Sequence, residues 1–156
     1  MAELDETDLR IVDELRRNSR MSMRALAAAL HISRANVYTR VARLERDGVI
    51  TGYTAVIDPQ RYGHTLSAYV YLKVQQQAWQ RLQERLLDIP DVDHAAFISG
   101  EHDIVLLVRT RDAATLRDLV LTRLQAMPEV VSTQTVLIFD EITQATRRSG
   151  TWAAGD

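Results

Sequence analysis

Between Ser33 and Gly48 the sequence SRANVYTRVARLERDG sorts its side chains onto two helical faces. Val37, Val41 and Leu44 recur at i, i+4 and i+7. The opposite face carries Ala35, Asn36, Thr39, Arg43 and Arg46, flanked by Arg34, Tyr38 and Arg40. Amides and guanidinium groups pair with base edges, and hydroxyls and guanidinium groups clamp phosphates. From Leu15 to Arg46 eight arginines stand against one acid, Glu45, a local net of +7. The start of such a helix enters the major groove when a helix-turn-helix docks on DNA. Arg34, Asn36, Thr39 and Arg40 are therefore expected at base edges, and Ser33, Arg43 and Arg46 at phosphates.

A second constellation is the turn Gly100-Glu101-His102-Asp103. Gly100 has no side chain, so its N–H and those that follow can approach a ligand closely. Backbone N–H groups suit an α-carboxylate and Asp103 suits an α-ammonium, the two groups every free amino acid carries. Thr133 and Thr135 on a later strand could add hydrogen bonds. The alternative is that Asp103 only bonds the backbone of its own turn. His102-Asp103 is also the one place that suggests proton transfer. However, His31, His64, His94 and His102 lack metal-ligand spacing, and no serine, cysteine or lysine sits in a nucleophile motif. No catalysis, metal or cofactor is expected.

These groups need elements to hold them. Ser22 caps a helix with Leu26, Ala27 and Leu30 on one face; His31-Ile32-Ser33 turns the chain, and Ser33 caps the arginine-bearing helix. Gly48 suits a helix C-terminus. Upstream, residues 4–17 form a helix capped by Asp5, with Glu6 and Asp8 at its positive end and Leu9, Val12 and Leu15, with Ile11 beside them, supplying an apolar stripe. Three helices closing on that stripe make a small domain that is marginal alone. Residues 49–58 switch to strand character, interrupted by Gly52, and read as a wing or an extended connector.

The second half alternates. Leu66, Ala68, Val70, Leu72 and Val74 share one strand face, and Ser67, Tyr69, Tyr71, Lys73 and Gln75 the other. A helix at about 78–88, with Trp79, Leu82 and Leu86 in register, ends at Pro90. Strands follow through 93–99 and 104–108, then a helix capped by Asp112 and a last strand at about 131–139. Arg85-Leu86…Ile89-Pro90-Asp91-Val92 recurs as Arg123-Leu124…Met127-Pro128-Glu129-Val130, an offset of 38. The order β-α-β-β-α-β in two similar halves predicts a ferredoxin-like sheet with both helices on one face. The last strand is apolar on both sides, with Leu137 and Phe139 against Val136 and Ile138, so the uncovered face calls for a second copy and a two-fold dimer.

Size and charge agree. The chain has 156 residues, 46% hydrophobic and 26% charged, with net charge −2 and no cysteine. Residues 61–156 carry ten basic and twelve acidic groups, so a basic element sits on a mildly acidic body, as suits a protein touching nucleic acid through one face. No apolar run is long enough for a membrane span and no export pattern is present, which points to the cytoplasm.

Leu4-Asp5…Asp8…Ile11-Val12…Leu15, then Arg20, Leu26-Ala27, Ile32-Ser33, Val37…Arg40-Val41…Leu44-Glu45…Gly48-Val49-Ile50…Gly52-Tyr53, resembles the N-terminal signature of the Lrp/AsnC (feast/famine) regulators. Gly63, the Pro90–Val92 helix end, Gly100-x-x-Asp103 and Pro128–Val130 carry the likeness through the second half, over roughly residues 4–142. The resemblance implies an α+β chain: a winged-type helix-turn-helix domain over 1–50, a β-strand hinge or linker over 51–62, a ferredoxin-like βαββαβ ligand-sensing and oligomerisation domain over 63–142, and a polar tail over 143–156. It implies a transcriptional regulator that binds double-stranded DNA, an amino acid or related small metabolite as effector at the Gly-x-x-Asp turn, and dimers assembling to octamers. His102 departs from the family, which often has an aromatic residue there. The alternative is an architectural DNA binder without effector.

Overall fold

The computed structural model describes residues 3–75 and 79–141. The tail 143–156 with Trp152, and the side chain of Trp79, lie outside the described residues. The chain divides into two compact units after Val56.

The first unit is three helices, α1 (Glu6–Arg17), α2 (Met23–Leu30) and α3 (Arg34–Arg46). Each starts at a side-chain cap, because the first N–H groups of a helix have no partner of their own. Asp5, Ser22 and Ser33 accept from the N–H of Asp8, Ala25 and Asn36 at 2.9, 3.1 and 3.2 Å. His31, in the left-handed region at φ 56°, turns α2 into α3. Gly48 has φ 72° and ends α3, with the N–H groups of Val49 and Ile50 closing on the Leu44 carbonyl. The core is Ile11, Leu15, Leu26, Ala27, Leu30, Val37, Val41 and Leu44. Leu9, expected on the stripe, is half exposed, while Ile11 takes the buried place. Successive residues advance about 100° around the helix, so a buried stripe through Asp8, Ile11 and Leu15 leaves Leu9 to one side.

The expected hinge strand does not form. Residues 51–58 have no regular structure, and Val56 and Ile57 are exposed. A strand is completed by a ladder partner, and none of the described residues supplies one, so β-branched composition alone leaves this stretch unpaired. For the same reason the first unit carries no wing strands among the described residues.

The second unit begins with a four-residue helix, α4 (Pro59–Tyr62), capped by Asp58 and closed by Gly63. It continues as β1 (Leu66–Val74), α5 (Trp79–Leu87), β2 (Val92–Phe97), β3 (Ile104–Thr110), α6 (Ala113–Asp118) and β4 (Val130–Ile138). The sheet order is β2-β3-β1-β4, antiparallel throughout. This is the ferredoxin-like arrangement expected from the element order. One residue set faces the helices: Ala68, Val70 and Leu72 of β1 and Ile104, Leu106 and Val108 of β3 pack on Leu82, Leu86, Leu116, Leu119 and Leu124. After α6 the helix widens to π geometry over Leu119–Leu124, which keeps Leu119, Val120 and Leu124 buried.

The internal repeat has a structural counterpart. Arg85 Nη1 pairs with Glu129 at 3.0 Å, and Arg123 Nη1 approaches Asp91 at 3.9 Å. Arg85 and Arg123 are equivalent across the offset of 38, as are Asp91 and Glu129, so each half reaches into the other by the same contact. The same two acidic residues also take backbone bonds from the opposite half: Gln75 N–H donates to the Glu129 carbonyl at 3.0 Å and Arg109 N–H to the Asp91 carbonyl at 2.9 Å.

Candidate nucleic-acid interface and sensor turn

On α3 the expected base-contacting group divides in two. Arg34 and Asn36 are exposed at the capped start of the helix, and Thr39 follows one turn on. Arg40 instead reaches back to α1: its Nη1 donates to Asp5 Oδ2 at 2.6 Å and to Asp8 Oδ1 at 2.8 Å, while its Nε donates to Asn36 Oδ1 at 2.7 Å. Arg43 Nη2 also donates to Asp8 Oδ2. Asp8 is 0% exposed and is the one buried ionisable group among the described residues. Its carboxylate completes the α1 cap as well, accepting the Asp5 N–H at 3.1 Å. Arg40 and Arg43 thus lock α3 onto the start of α1. Burial alone would raise the Asp8 pKa, but hydrogen bonds from Arg40 and Arg43 outweigh it and hold the carboxyl below its usual range. The Arg40 hydrogen bond lowers Asp5 likewise.

Among the expected phosphate contacts, Ser33 Oγ accepts the Asn36 N–H but keeps its own hydroxyl hydrogen. Arg46 stays exposed beside Asp47 at 3.2 Å. Asp8, expected only as an acid at the positive end of α1, also anchors α3, which helix-by-helix reading missed. Its signal was the Asp5-x-x-Asp8 spacing of a reciprocal cap, but spacing along α1 does not reveal arginines 32 and 35 residues away.

In the second unit the turn 98–103 joins β2 to β3. Gly100 has φ 130°, which favours glycine by backbone conformation rather than space, since a Cβ there would meet nothing within 4 Å. Asp103 is well engaged. Its Oδ2 accepts the Val74 N–H at 2.9 Å, its Oδ1 lies 3.3 Å from Lys73 Nζ, and its own N–H donates to the Leu72 carbonyl at 2.9 Å. The Val74 N–H first, and then Lys73, lower its pKa against the opposing pull of burial. His102 is half-buried with its ring 5.4 Å from that of Tyr71, doing the packing of an aromatic residue. Glu101 is exposed.

Thr133 and Thr135 lie elsewhere. They pair with Leu72 and Val70 on the β4 side of β1, whereas the turn leads into β3 on the other side. Two strand spacings, about 10 Å, separate them from the turn. They point to the helix-bearing face, where Thr133 Oγ1 accepts from Gln125 Nε2 at 2.9 Å. The structure therefore brings Gly100, Glu101, His102 and Asp103 together with Lys73, and leaves both threonines outside that group.

The opposite sheet face bears no helix. Tyr69, Tyr71, Val105, Leu107, Val136 and Ile138 make its apolar part. At one end Arg109 is held by Asp93 at 3.0 Å, Glu141 at 2.8 Å and Ser67 at 3.0 Å. Burial would lower the Arg109 pKa, but the two carboxylates outweigh it and raise it. Among the described residues no group of His, Asp and Glu could hold a metal ion, and no helix is long and apolar enough to cross a membrane.

A family model for winged helix-turn-helix DNA-binding matches residues 4–51. The Lrp/AsnC ligand binding domain model matches residues 67–148. The regulator AldR of Mycobacterium tuberculosis is 36% identical over 144 residues, covering 90% of this chain and 80% of that protein. The proline dehydrogenase transcriptional activator of Rhodobacter capsulatus is 31% identical over 144 residues, covering 90% and 94%. Among solved structures, the leucine response regulatory protein LrpA of M. tuberculosis aligns with TM-score 0.79 at 34% identity, covering 90% of this chain and 95% of that one. A Neisseria meningitidis regulator solved as a complex with L-Met shares the fold, with TM-score 0.84 at 24% identity and coverage of 90% and 93%. The two family models thus follow one another on this chain, and relatives align with nine-tenths of it; the chain belongs to the Lrp/AsnC family of helix-turn-helix transcriptional regulators.

Proposed function

We propose that residues 1–50 form the DNA-binding domain, 51–62 the connector, and 63–142 the part that senses an amino acid and assembles the protein, with no catalytic step, in the cytoplasm where the DNA is. The observation that carries the DNA reading is the exposed polar start of α3. There Arg34, Asn36 and Thr39 stand clear of the helical core beside a properly capped N-terminus. Arg34 and Asn36 meet base edges; Ser33 and Arg46 meet phosphates, joined by the donors of Arg40 and Arg43 that do not face the α1 carboxylates. In gel-shift competition, Asn36→Ala is expected to relax operator preference by about tenfold or more at one position, the worth of one good base contact. Arg46→Ala should weaken all sequences alike and flatten the salt dependence by about one unit. Unchanged operator preference in the double variant Arg34→Ala, Asn36→Ala would refute the assignment.

The effector is an α-amino acid at the turn of Gly100, Glu101, His102 and Asp103, with methionine, bound in the Neisseria meningitidis relative, and leucine, to which the name of LrpA refers, as first candidates. Backbone N–H groups of the turn receive the carboxylate, and Asp103 receives the ammonium in competition with Lys73. Thr133 and Thr135, set apart from the turn, contribute at most from a second copy. Titration calorimetry on Asp103→Ala is expected to show loss of amino-acid binding with DNA binding retained. Unchanged amino-acid affinity would move the site elsewhere. The ligand shifts assembly only if its affinity differs between assembly states.

The helix-free sheet face takes a second copy of the chain. Its apolar part spans Tyr69 and Tyr71 of β1, Val105 and Leu107 of β3 and Val136 and Ile138 of β4, a patch that the same patch of a second copy would cover about a two-fold axis. Dimers then present two α3 helices to half-sites about one DNA turn apart or a multiple of it, and pair further into an octamer.

A further inference from the structure

We propose that Arg40 is a specificity-positioning residue: anchored to α1, it holds the Asn36 amide in one orientation, so that Asn36 offers the major groove only N–H donors and selects guanine over adenine. This rests on the reading of α3 as the base-contacting helix.

A guanidinium carries donors and no acceptor. The atom of Asn36 that meets Arg40 Nε at 2.7 Å is therefore the amide oxygen, and the two hydrogens on Nδ2 are what remains free. Arg40 cannot easily swing away to release that oxygen. Its Nη1 is bound to Asp5 at 2.6 Å and to the fully buried Asp8 at 2.8 Å, and its side chain is 23% exposed. Asp8 in turn is fixed by the α1 cap and by Arg43. The polarity of a side chain on α3 is thus set by the N-terminus of α1.

Asparagine pairs with adenine by using both ends of its amide at once, accepting from N6–H and donating to N7. With the oxygen engaged by a charged donor, that pairing requires breaking a charge-assisted bond. Guanine shows two acceptors, N7 and O6, on the same edge, and these suit a donor-only amide. Thr39 complements this polarity. Its hydroxyl donates to the Ala35 carbonyl at 3.0 Å, so it faces outward with a lone pair and a methyl group. The start of α3 therefore presents donors at Asn36 and an acceptor at Thr39.

Selection of binding sites from random duplexes tests this with the full-length chain. The position that becomes degenerate in Asn36→Ala is the one Asn36 contacts; in the wild type it should be guanine. Arg40→Met keeps an unbranched apolar stem and removes the guanidinium, and should raise the adenine-to-guanine ratio at that position about tenfold while leaving the other positions unchanged. Should Arg40→Met fail to fold by circular dichroism, Asn36→Asp decides. Its carboxylate keeps the Arg40 bond but has no donors, so the guanine preference should disappear. Adenine at that position in the wild type overturns the proposal, as does a guanine preference that survives Asn36→Asp or a folded Arg40→Met. If Asn36→Ala leaves every position as it was, the base-contacting role of α3 fails and the proposal with it; retention of that role with adenine selected defeats the proposal alone.

Discussion

Asp8→Ala is expected to unfold the N-terminal unit under conditions where the wild type is folded. The substitution leaves Arg40 and Arg43 without the carboxylate they share and removes one half of the α1 cap. Breaking a buried ion pair from one side costs about 3–5 kcal/mol. The arginines here are one-quarter to one-third exposed, and solvent screening brings the loss to the bottom of that range or just below it, about 2–3 kcal/mol. A unit of fewer than about 60 residues has little stability beyond that. Denaturant unfolding followed by helical circular dichroism should show the loss, with DNA binding abolished. Asp8→Asn, which keeps an acceptor and the shape, should lose less. A midpoint change worth under about 0.5 kcal/mol for Asp8→Ala would mean that the cluster does not hold α3. The pH dependence has a definite sign. The folded Asp8 and Asp5 pKa values lie below the ordinary 3.8, so the unfolded chain takes up protons first as pH falls. Their contribution is complete above about pH 4 and is lost as pH drops through the folded values. In Asp8→Asn that acid limb should be shallower.

Val136→Asp is expected to split the proposed dimer while leaving the fold of the second unit intact. Val136 pairs with Tyr69 on the helix-free face and is 44% exposed in the single chain, so a carboxylate there remains solvated in the monomer. Within a two-fold interface it would be buried twice without a partner. A cost of about 3 kcal/mol for the pair corresponds to roughly a hundredfold weaker association. Light scattering at micromolar concentration should then report monomer, with the thermal transition of the sheet unit preserved. Leu137→Asp lies on the other face of the same strand and serves as the comparison: if it dissociates the protein and Val136→Asp does not, the partner covers the helix-bearing side. A wild-type chain that is monomeric at micromolar concentration would remove the dimer altogether.

Much of this architecture was legible because it is written locally. Ser22, Ser33 and Asp112 cap the helices where a hydroxyl or carboxylate precedes an apolar periodicity. Leu66 to Val74 alternate as a strand one residue at a time, and the burial alternates with them. What was not legible depends on partners distant in sequence. Arg40 and Arg43 carry the residue type of a DNA contact, and only the packing of α3 on α1 shows that part of their hydrogen-bonding capacity is committed to Asp8. Residues 51–58 have the composition of a strand, but composition does not supply a neighbour. Thr133, within β4, and Asp103, just before β3, are both polar residues, and the strand order, with β1 between them, is what separates them. The turn itself was found from its glycine, whereas the hold of Lys73 and Val74 on Asp103 came from the sheet register.

The crossed contacts of Arg85 with Glu129 and Arg123 with Asp91 are half-exposed, and such pairs are worth at most about 1 kcal/mol each. Their meaning is geometric. In an isologous interface, residue i of one subunit meets residue j of the other and j meets i. This unit shows that rule within a single chain, so it is laid out as a duplicated half fused to itself. The turn 98–103 is then the fusion joint, the one segment that links the copies without belonging to either. A joint is not bound to repeat itself. Glu101 and His102 therefore lie outside the exchange by which the two halves hold each other in place.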